Sequence, residues 1–161
     1  MTRWTTDADD YDQEQFTGGR CHILALTLHH LYGLPIKAVA NKNKYPGAPG
    51  DGQDSLAYSV THYVVETPDG LFWDATGSFD KAGLFREYAN SDEDIAAGTI
   101  FLQEQSPEEM MAYCARQGWI AVSLDEVHEA KVFIRIYLDC YMRQLYSLTA
   151  SRTGITINEP L

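Results

Sequence analysis

The sequence predicts an α+β fold in which an N-terminal central helix packs on an antiparallel β-sheet, with additional C-terminal helices. Three observations lead to this prediction. The apolar residues of 20–32 cover most of a helical circumference, which is typical of a buried helix. Two β-prone runs around a Pro-Asp-Gly turn in residues 59–77 indicate a hairpin. Between residues 124 and 146, apolar residues recur near helical spacing.

Length and composition predict one domain over residues 1–161. The chain is 45% apolar by residue type, which provides for a core of its own. Residues 1–15 are polar and acidic, which predicts a mobile lead-in without a signal peptide. No run of 18 apolar residues predicts a membrane span. We therefore expect a cytoplasmic protein, although export by a dedicated secretion machine would leave no such mark.

Charge and cysteine usage exclude several classes of partner and scaffold. Twelve basic and 23 acidic residues give a net charge of −11, which disfavours nonspecific binding to nucleic acid or anionic membrane. Cys21, Cys114 and Cys140 are odd in number and widely spaced, so neither a disulfide framework nor a zinc knuckle is predicted. Reduced thiols are expected. Cys114 and Cys140 each lie inside a predicted helix, and both are expected to be buried in the core of the protein.

The first half of the chain is predicted in the order helix, strand, loop, hairpin. The helix over 20–32 ends at Gly33, and residues 36–40 indicate a short strand. Residues 42–55 are rich in Gly and Pro and predict a long loop, either a substrate-facing flap or a plain surface excursion. In the hairpin, Pro68 presets its backbone angle and Gly70 tolerates the left-handed conformation that ends a three-residue loop.

The second half is predicted from weaker signals. Residues 80–89 indicate a short helix, residues 99–103 a strand, and Ser106-Pro107 a helix start. A second long helix follows over residues 124–146, and the tail after Thr149 is expected to fray.

Cys21 is the candidate nucleophile. It stands at the start of the predicted helix, where free backbone N–H groups and the helix dipole favour a thiolate and lower the pKa of the thiol. Arg20 would add positive charge, and Gly18 and Gly19 would let backbone N–H groups approach a bound carbonyl. The competing interpretation is a core thiol, because free cysteines are among the most buried residues.

His62 and Asp74 are the candidate base and orienting acid. An imidazole can take the thiol proton and later deliver it to a leaving group. If residues 67 and 71 close a three-residue loop, Asp74 lies opposite Val64 and shares a face with His62, whereas a two-residue turn would put the pair on opposite faces. The carboxylate would then orient the imidazole and stabilise its charged form. A structural role for His62 is the competing interpretation.

No cofactor or metal is predicted. His22 and His29 lie two turns apart on one helix face, and with Cys21 and His62 they are a conceivable zinc set. The i, i+4 pair typical of helical zinc ligands is absent, which argues against zinc.

The stretches GGRCHILALTLHHLYG (18–33) and THYVVETPDGLFWDATG (61–77) together resemble the papain-like fold in its broad sense. That superfamily includes transglutaminase-like proteins, NlpC-like peptidases and arylamine N-acetyltransferases. In these relatives a Cys begins a central helix, a His opens a strand and an acid sits on the next strand, as Cys21, His62 and Asp74 do here. The resemblance implies a papain-like core.

The resemblance also implies an oxyanion-holding Gln a few residues before the nucleophile. Gln15 is the candidate for that role, and Gln13 is the alternative. Gly19, Arg20 and Trp73 complete the set of candidate oxyanion or substrate-binding residues.

The predicted function is that of a cysteine-dependent hydrolase or acyl-transfer enzyme acting on amide bonds through a thioester. The triad does not choose among peptidase, Gln or Asn deamidase, transglutaminase and acyltransferase. Small size and acidity favour a modifier of a specific protein or peptide, such as a bacterial or phage effector. The competing class is a noncatalytic acidic binding or inhibitor protein with a degenerate papain-like fold. The reactivity of the Cys21 thiol discriminates between the two classes.

Overall fold

The structure, a computed structural model, describes residues 3–43 and 57–145. Its helices and strands follow one another in this order: α1 (Asp10–Thr17), α2 (Cys21–Tyr32), β1 (Ile36–Lys42), β2 (Tyr58–Glu66), β3 (Phe72–Asp74), β4 (Gly77–Phe79), α3 (Lys81–Tyr88), α4 (Asp92–Ala96), β5 (Ile100–Gln105), α5 (Pro107–Arg116) and α6 (Leu124–Phe133). No helix in the described part of the chain is long and apolar enough to cross a membrane.

The strands form one antiparallel sheet in the order β4-β3-β2-β1-β5, which confirms the predicted α+β class. Side chains alternate between its two faces. Tyr63 and Val65 belong to the core that the sheet forms with α2 and the C-terminal helices. Val64 and Phe72 belong to a smaller apolar cluster on the other face, under α3 and α4.

Helix α2 is the central helix that the apolar pattern predicts. Every residue from Cys21 to Leu28 is buried, because apolar side chains surround the helix on all sides. Gly33 adopts the left-handed conformation at φ 68°, and its N–H donates to the carbonyl of His29 at 2.8 Å. This bond closes the last turn, and Pro35 cannot continue the helix.

The hairpin has the predicted three-residue loop. The N–H of Thr67 donates to the carbonyl of Leu71 at 2.9 Å, and Gly70 has φ 81°. The register that follows pairs Val65 with Trp73. The predicted register is therefore confirmed.

The N-terminal segment differs from the predicted mobile lead-in. Thr5 forms a β-bridge with Gly77, and the Trp4 ring lies 5.0 Å from that of Tyr141. A Cβ at residue 77 would lie 2.0 Å from the Trp4 carbonyl oxygen, so only glycine admits this approach. Helix α1 follows, with the Asp9 side chain accepting from the N–H of Asp12.

The C-terminal half follows the prediction in outline. Helices α5 and α6 begin after Ser106 and Ser123, whose side chains cap them. From α6 the chain continues through a π-helical turn (Ile134–Leu138) and stays helical to residue 145. The short elements β4 and α4 were not predicted. The long loop lies mostly outside the described residues, as does the tail after Thr149.

The two remaining cysteines differ in burial. Cys114 is buried, as predicted, but Cys140 is exposed, which corrects the prediction of a core thiol. Its helix turns that position to solvent, while Leu138 and Met142 face the core.

Candidate active site

Cys21 is the first residue of α2, and 3% of its surface is exposed. The preceding residue, Arg20, makes no side-chain capping bond to the helix, whereas side chains cap the N-termini of α1, α3, α4, α5 and α6. The first N–H groups of α2 are therefore not taken up by a cap, and their partial positive charge acts beside the thiol.

The start of α2 meets an edge of β2 that β3 does not cover. Strand β3 pairs with β2 only at Val65 and Glu66, so no strand among the described residues pairs with the earlier part of β2 on that side. There the backbone N–H of Tyr63 is among the groups that lower the pKa of the Cys21 thiol. Because β3 is short, it leaves room for the thiol beside this part of β2. The thiol therefore lies next to His62, which precedes Tyr63 on the strand.

His62 lies between Cys21 and Asp74 and is fully buried. Its Nε2 donates to Oδ2 of Asp74 at 3.0 Å. Its other nitrogen, Nδ1, has no hydrogen-bond partner of regular geometry among the described residues. Because Asp74 occupies Nε2, Nδ1 is the ring nitrogen left for the sulfur, and the charge of Cys21 raises the pKa of the ring.

Asp74 accepts four hydrogen bonds, two on each oxygen. Oδ2 accepts from His62 and from the Tyr88 hydroxyl, the latter at 2.7 Å, while Oδ1 accepts from the N–H and the hydroxyl of Thr76, both at 2.7 Å. Burial raises the pKa of this carboxyl, but the hydrogen bond and charge of His62, with Tyr88 and Thr76, bring the pKa below its ordinary value. Asp74 is therefore ionised and held in one orientation.

Tyr88, at the end of α3, is a site residue that sequence reasoning missed. Its ring stacks on the His62 ring with centroids 3.9 Å apart and planes 11° apart, while its hydroxyl binds Asp74. The tyrosine follows Asp74 by 14 residues on a different element, and no local pattern marks it. It restricts the imidazole from one face and fixes the carboxylate that the imidazole binds.

The charges of Cys21 and His62 are coupled. Burial raises the pKa of the Cys21 thiol, but the positive charge of His62, together with hydrogen bonds from its ring and from the N–H of Tyr63, lowers the pKa to about 6. Burial lowers the pKa of His62, but the Cys21 thiolate and Asp74 raise it to about 9. Between these two values the pair exists as thiolate and imidazolium.

The two glutamines proposed for the oxyanion differ in their partners. Nε2 of Gln13 donates to the Thr6 hydroxyl and to the carbonyl of Ala8, so this amide is engaged away from Cys21. Oε1 of Gln15 accepts a hydrogen bond from the Arg20 guanidinium at 3.0 Å, and this bond does not involve the Nε2 donor of Gln15. Among the described residues, the hydrogen bonds of Gln13 therefore use its Nε2, whereas the hydrogen bond of Gln15 uses its Oε1.

The other three candidates have different surroundings. The Arg20 guanidinium lies 3.4 Å from Glu126 and 3.2 Å from Glu129, so its charge is balanced by α6 rather than directed at the thiol. Gly19 has φ 110°, a conformation that favours glycine and turns the chain into α2. Trp73 is 2% exposed and packs near Tyr141 on the sheet face opposite Asp74, which separates it from the triad.

His22 is a second histidine at the site. It is fully buried, its Nε2 lies 2.8 Å from the carbonyl oxygen of Ile120, and its ring is among the groups that lower the pKa of the Cys21 thiol. In the sequence, this residue is marked only as a member of a conceivable zinc set with Cys21, His29 and His62. Within residues 3–43 and 57–145, no three His, Cys, Asp or Glu side chains are grouped to hold a metal ion.

Comparison with protein-family models, curated proteins and solved structures finds no match for the chain.

Proposed function

We propose that the protein is a cysteine-dependent hydrolase or acyl-transfer enzyme acting on amide bonds, with a papain-like core and the triad Cys21-His62-Asp74. The observation that supports this proposal is the buried His62 ring, which binds Asp74 through one nitrogen and leaves the other to the Cys21 thiol. A merely structural histidine would not need a carboxylate saturated by four hydrogen bonds behind it. A nucleophile beside a base that is itself held by an orienting acid is the arrangement that covalent catalysis requires.

In the proposed reaction, the Cys21 thiolate attacks the carbonyl carbon of an amide. A C–S bond forms, and the electron pair of the carbonyl π bond moves to oxygen. The His62 imidazolium then gives its proton to the amide nitrogen. The electron pair on oxygen re-forms the carbonyl as the C–N bond breaks with its electrons on nitrogen, and the amine leaves. Water or another nucleophile attacks the resulting thioester, His62 accepts its proton, and the thiolate is released.

Developing negative charge on the carbonyl oxygen requires donors near the thiol. The uncapped first turn of α2 supports a role for its N–H groups, and the Nε2 donor of Gln15, which the bond to Arg20 does not involve, supports a role for that side chain. Gly19 contributes the sharp turn that brings the backbone to this position.

The site is enclosed. Cys21 is 3% exposed and His62 is fully buried. A substrate reaches the sulfur only after the side chains around it move, so small electrophiles are the appropriate first probes.

The substrate class that we propose is a protein or peptide. The net charge of −11 supports a basic partner and argues against nucleic acid and anionic membranes. We also propose a cytoplasmic location. Peptidase, deamidase, transglutaminase and acyltransferase share the acylation step described above, and they differ in leaving group and resolving nucleophile.

Acylation by p-nitrophenyl acetate tests the proposal without knowledge of the substrate. The protein carries Cys140→Ser so that an exposed thiol does not react, and peptide mass spectrometry locates the acetyl group. We expect acetylation of Cys21 at pH 7, lost in His62→Ala and retained in the control Cys114→Ser. Acetylation that bypasses Cys21, or that is indifferent to His62, would support the noncatalytic binding protein instead.

A further inference from the structure

A groove with an apolar lining lies between α1 and the helix that continues from α6 into the π-helical turn. Val132 and Ile136, four residues apart on that helix, line the groove with 42% and 64% of their surface exposed. The buried rings of Phe16 and Phe133, with centroids 5.0 Å apart, line it as well. Single exposed apolar residues are ordinary, whereas several that share one groove are typical of an interaction site. We name this feature the α1–α6 groove.

The surroundings of the α1–α6 groove are acidic. Residues 7–17 contain five acidic residues and no basic residue. Asp12 lines the groove and accepts a hydrogen bond from the neutral Tyr137 hydroxyl at 3.1 Å, which leaves the charge of the carboxylate in place. Within the described part of the chain, no lysine or arginine forms an ion pair with Asp9, Asp12 or Glu14. Positive charge on a partner would therefore be attracted to this groove.

The basic residues of the same helix line a different cavity. Lys131, Arg135 and Arg143 lie around a cavity next to Leu31 and Tyr32 of α2. None of the three lines the α1–α6 groove. The helix thus separates a basic cavity beside α2 from an acidic groove beside α1, and its own cations do not pair with the acidic residues of α1.

One end of the α1–α6 groove reaches the start of α2. Gln15 and Glu129 both line the groove, and both contact the Arg20 guanidinium, at 3.0 and 3.2 Å. Arg20 immediately precedes Cys21. A segment bound along the groove would therefore lie beside the residues that lead into the nucleophile.

We propose that the α1–α6 groove binds a cationic amphipathic segment of a protein partner. Its apolar side chains would pack on Val132 and Ile136, and its lysine or arginine side chains would lie beside Asp12. The identification of this partner as the substrate rests on the proposed function and narrows it to proteins that carry such a segment close to the reacting amide.

Size and charge favour this occupant over others. The groove has a volume of about 300 Å³, at the small end of ligand sites, which suits a few anchoring side chains of a larger partner. Amphipathic helices bind in apolar grooves in this way. A net charge of −11 disfavours both a second copy of the chain and an anionic membrane as the occupant.

Fluorescence anisotropy with a labelled amphipathic peptide of leucine and lysine tests the proposal. A peptide with glutamate in place of every lysine is the control for charge. We expect saturable binding of the lysine peptide and none of the glutamate peptide. A photo-crosslinking residue in the lysine peptide, located by mass spectrometry of the digested protein, is expected to mark α1 and residues 132–137.

Two pairs of variants locate the interaction. Ile136→Lys is matched by Met111→Lys, which makes the same change of charge at a residue 41% exposed on α5. We expect the dissociation constant to rise at least about tenfold in Ile136→Lys, from the loss of one apolar contact and the added like charge, and to change less than about twofold in Met111→Lys. Asp12→Asn keeps an acceptor for Tyr137 and is expected to weaken binding about two- to fivefold, whereas Asp92→Asn is expected to leave it unchanged.

The outcomes separate this inference from the proposed function. Equal weakening in Ile136→Lys and Met111→Lys would show attraction to net charge alone and would overturn the groove, as would the absence of saturable binding or crosslinks confined to other elements. A wild-type dimer, detected by light scattering, that Ile136→Lys dissociates would show that a second copy fills the groove and would also overturn the proposal. Because binding requires no reaction at Cys21, a peptide that binds here while p-nitrophenyl acetate leaves Cys21 unmodified would support the groove and refute the proposed function.

Discussion

Replacing Asp74 with asparagine removes one negative charge from a site in which three charges depend on each other. The amide has nearly the shape of the carboxylate, but it supports the His62 imidazolium far less. Burial, which lowers the pKa of His62, is then opposed mainly by Cys21, so we expect this pKa to fall from about 9. The thiolate in turn loses its cation, and we expect the pKa of Cys21 to rise from about 6 toward its ordinary value of 9.0.

The rate consequence can be worked through for the full shift. At pH 7 the thiolate fraction would fall from about 0.9 to about 0.01, a factor of about 90, for a pKa change from about 6 to 9.0. A more basic thiolate is also a better nucleophile. With a Brønsted coefficient of about 0.4–0.5, the same pKa change raises the intrinsic rate constant of the thiolate by about 15- to 30-fold. Alkylation of Cys21 at pH 7 therefore falls only about three- to sixfold. The midpoint of its pH profile moves by as much as about 3 units, which makes the midpoint the decisive quantity.

Iodoacetamide labelling of Cys21 across pH 5–10, followed by mass spectrometry, measures that midpoint. Asp92→Asn, which removes a carboxylate from α4, is the control and is expected to keep a midpoint of about 6. A midpoint that stays at about 6 in Asp74→Asn would refute the reasoning, because Asp74 would then have no part in stabilising the ion pair.

The remaining predictions concern stability and the coupling of the two charges. Tyr88→Phe removes a hydrogen bond to the ionised Asp74 and is expected to lower the free energy of unfolding, measured by urea titration, by about 1.5–3 kcal/mol. The control is Tyr11→Phe, at a residue 70% exposed, which is expected to leave that free energy almost unchanged. Between about pH 6.5 and 9, the native pair keeps one proton on His62, and the unfolded chain keeps one on Cys21, so the unfolding free energy is expected to be nearly independent of pH. Cys21→Ser removes the thiolate, which contributes most to raising the pKa of His62, so we expect that pKa to fall from about 9. A His62 pKa that stays at about 9 in this variant, measured by ¹⁵N chemical shifts of the imidazole, would contradict the coupling of the two charges.

The local elements were predictable because their signals are local. Pro68 and Gly70 determine the loop of the hairpin, and the loop determines which residues share a face, so the approach of His62 to Asp74 could be derived by counting. Serine caps mark the starts of α5 and α6 in the same way. The apolar residues on every side of helix α2 predict that the helix is buried.

The residues that sequence reasoning missed or misplaced depend on distant contacts. Tyr88 reaches Asp74 because α3 folds back over the sheet. Thr5 reaches Gly77 because the missing Cβ of the glycine leaves room for the N-terminal segment. Trp73 neighbours Asp74 in sequence, yet alternation along a strand puts the two on opposite faces. Cys140 lies among apolar residues of a helix, but the phase of that helix relative to the core is set by tertiary packing.

The most direct test of the central claim is a paired titration of Cys21 and His62 in a protein carrying Cys114→Ser and Cys140→Ser. Ultraviolet absorbance follows the thiolate, and ¹⁵N chemical shifts of the imidazole follow the histidine. The thiolate–imidazolium account predicts a thiolate that appears with a midpoint of about 6 and a His62 ring that stays protonated until about pH 9. A thiol that ionises near its ordinary pKa of 9.0, beside a His62 that is neutral at pH 7, would contradict it.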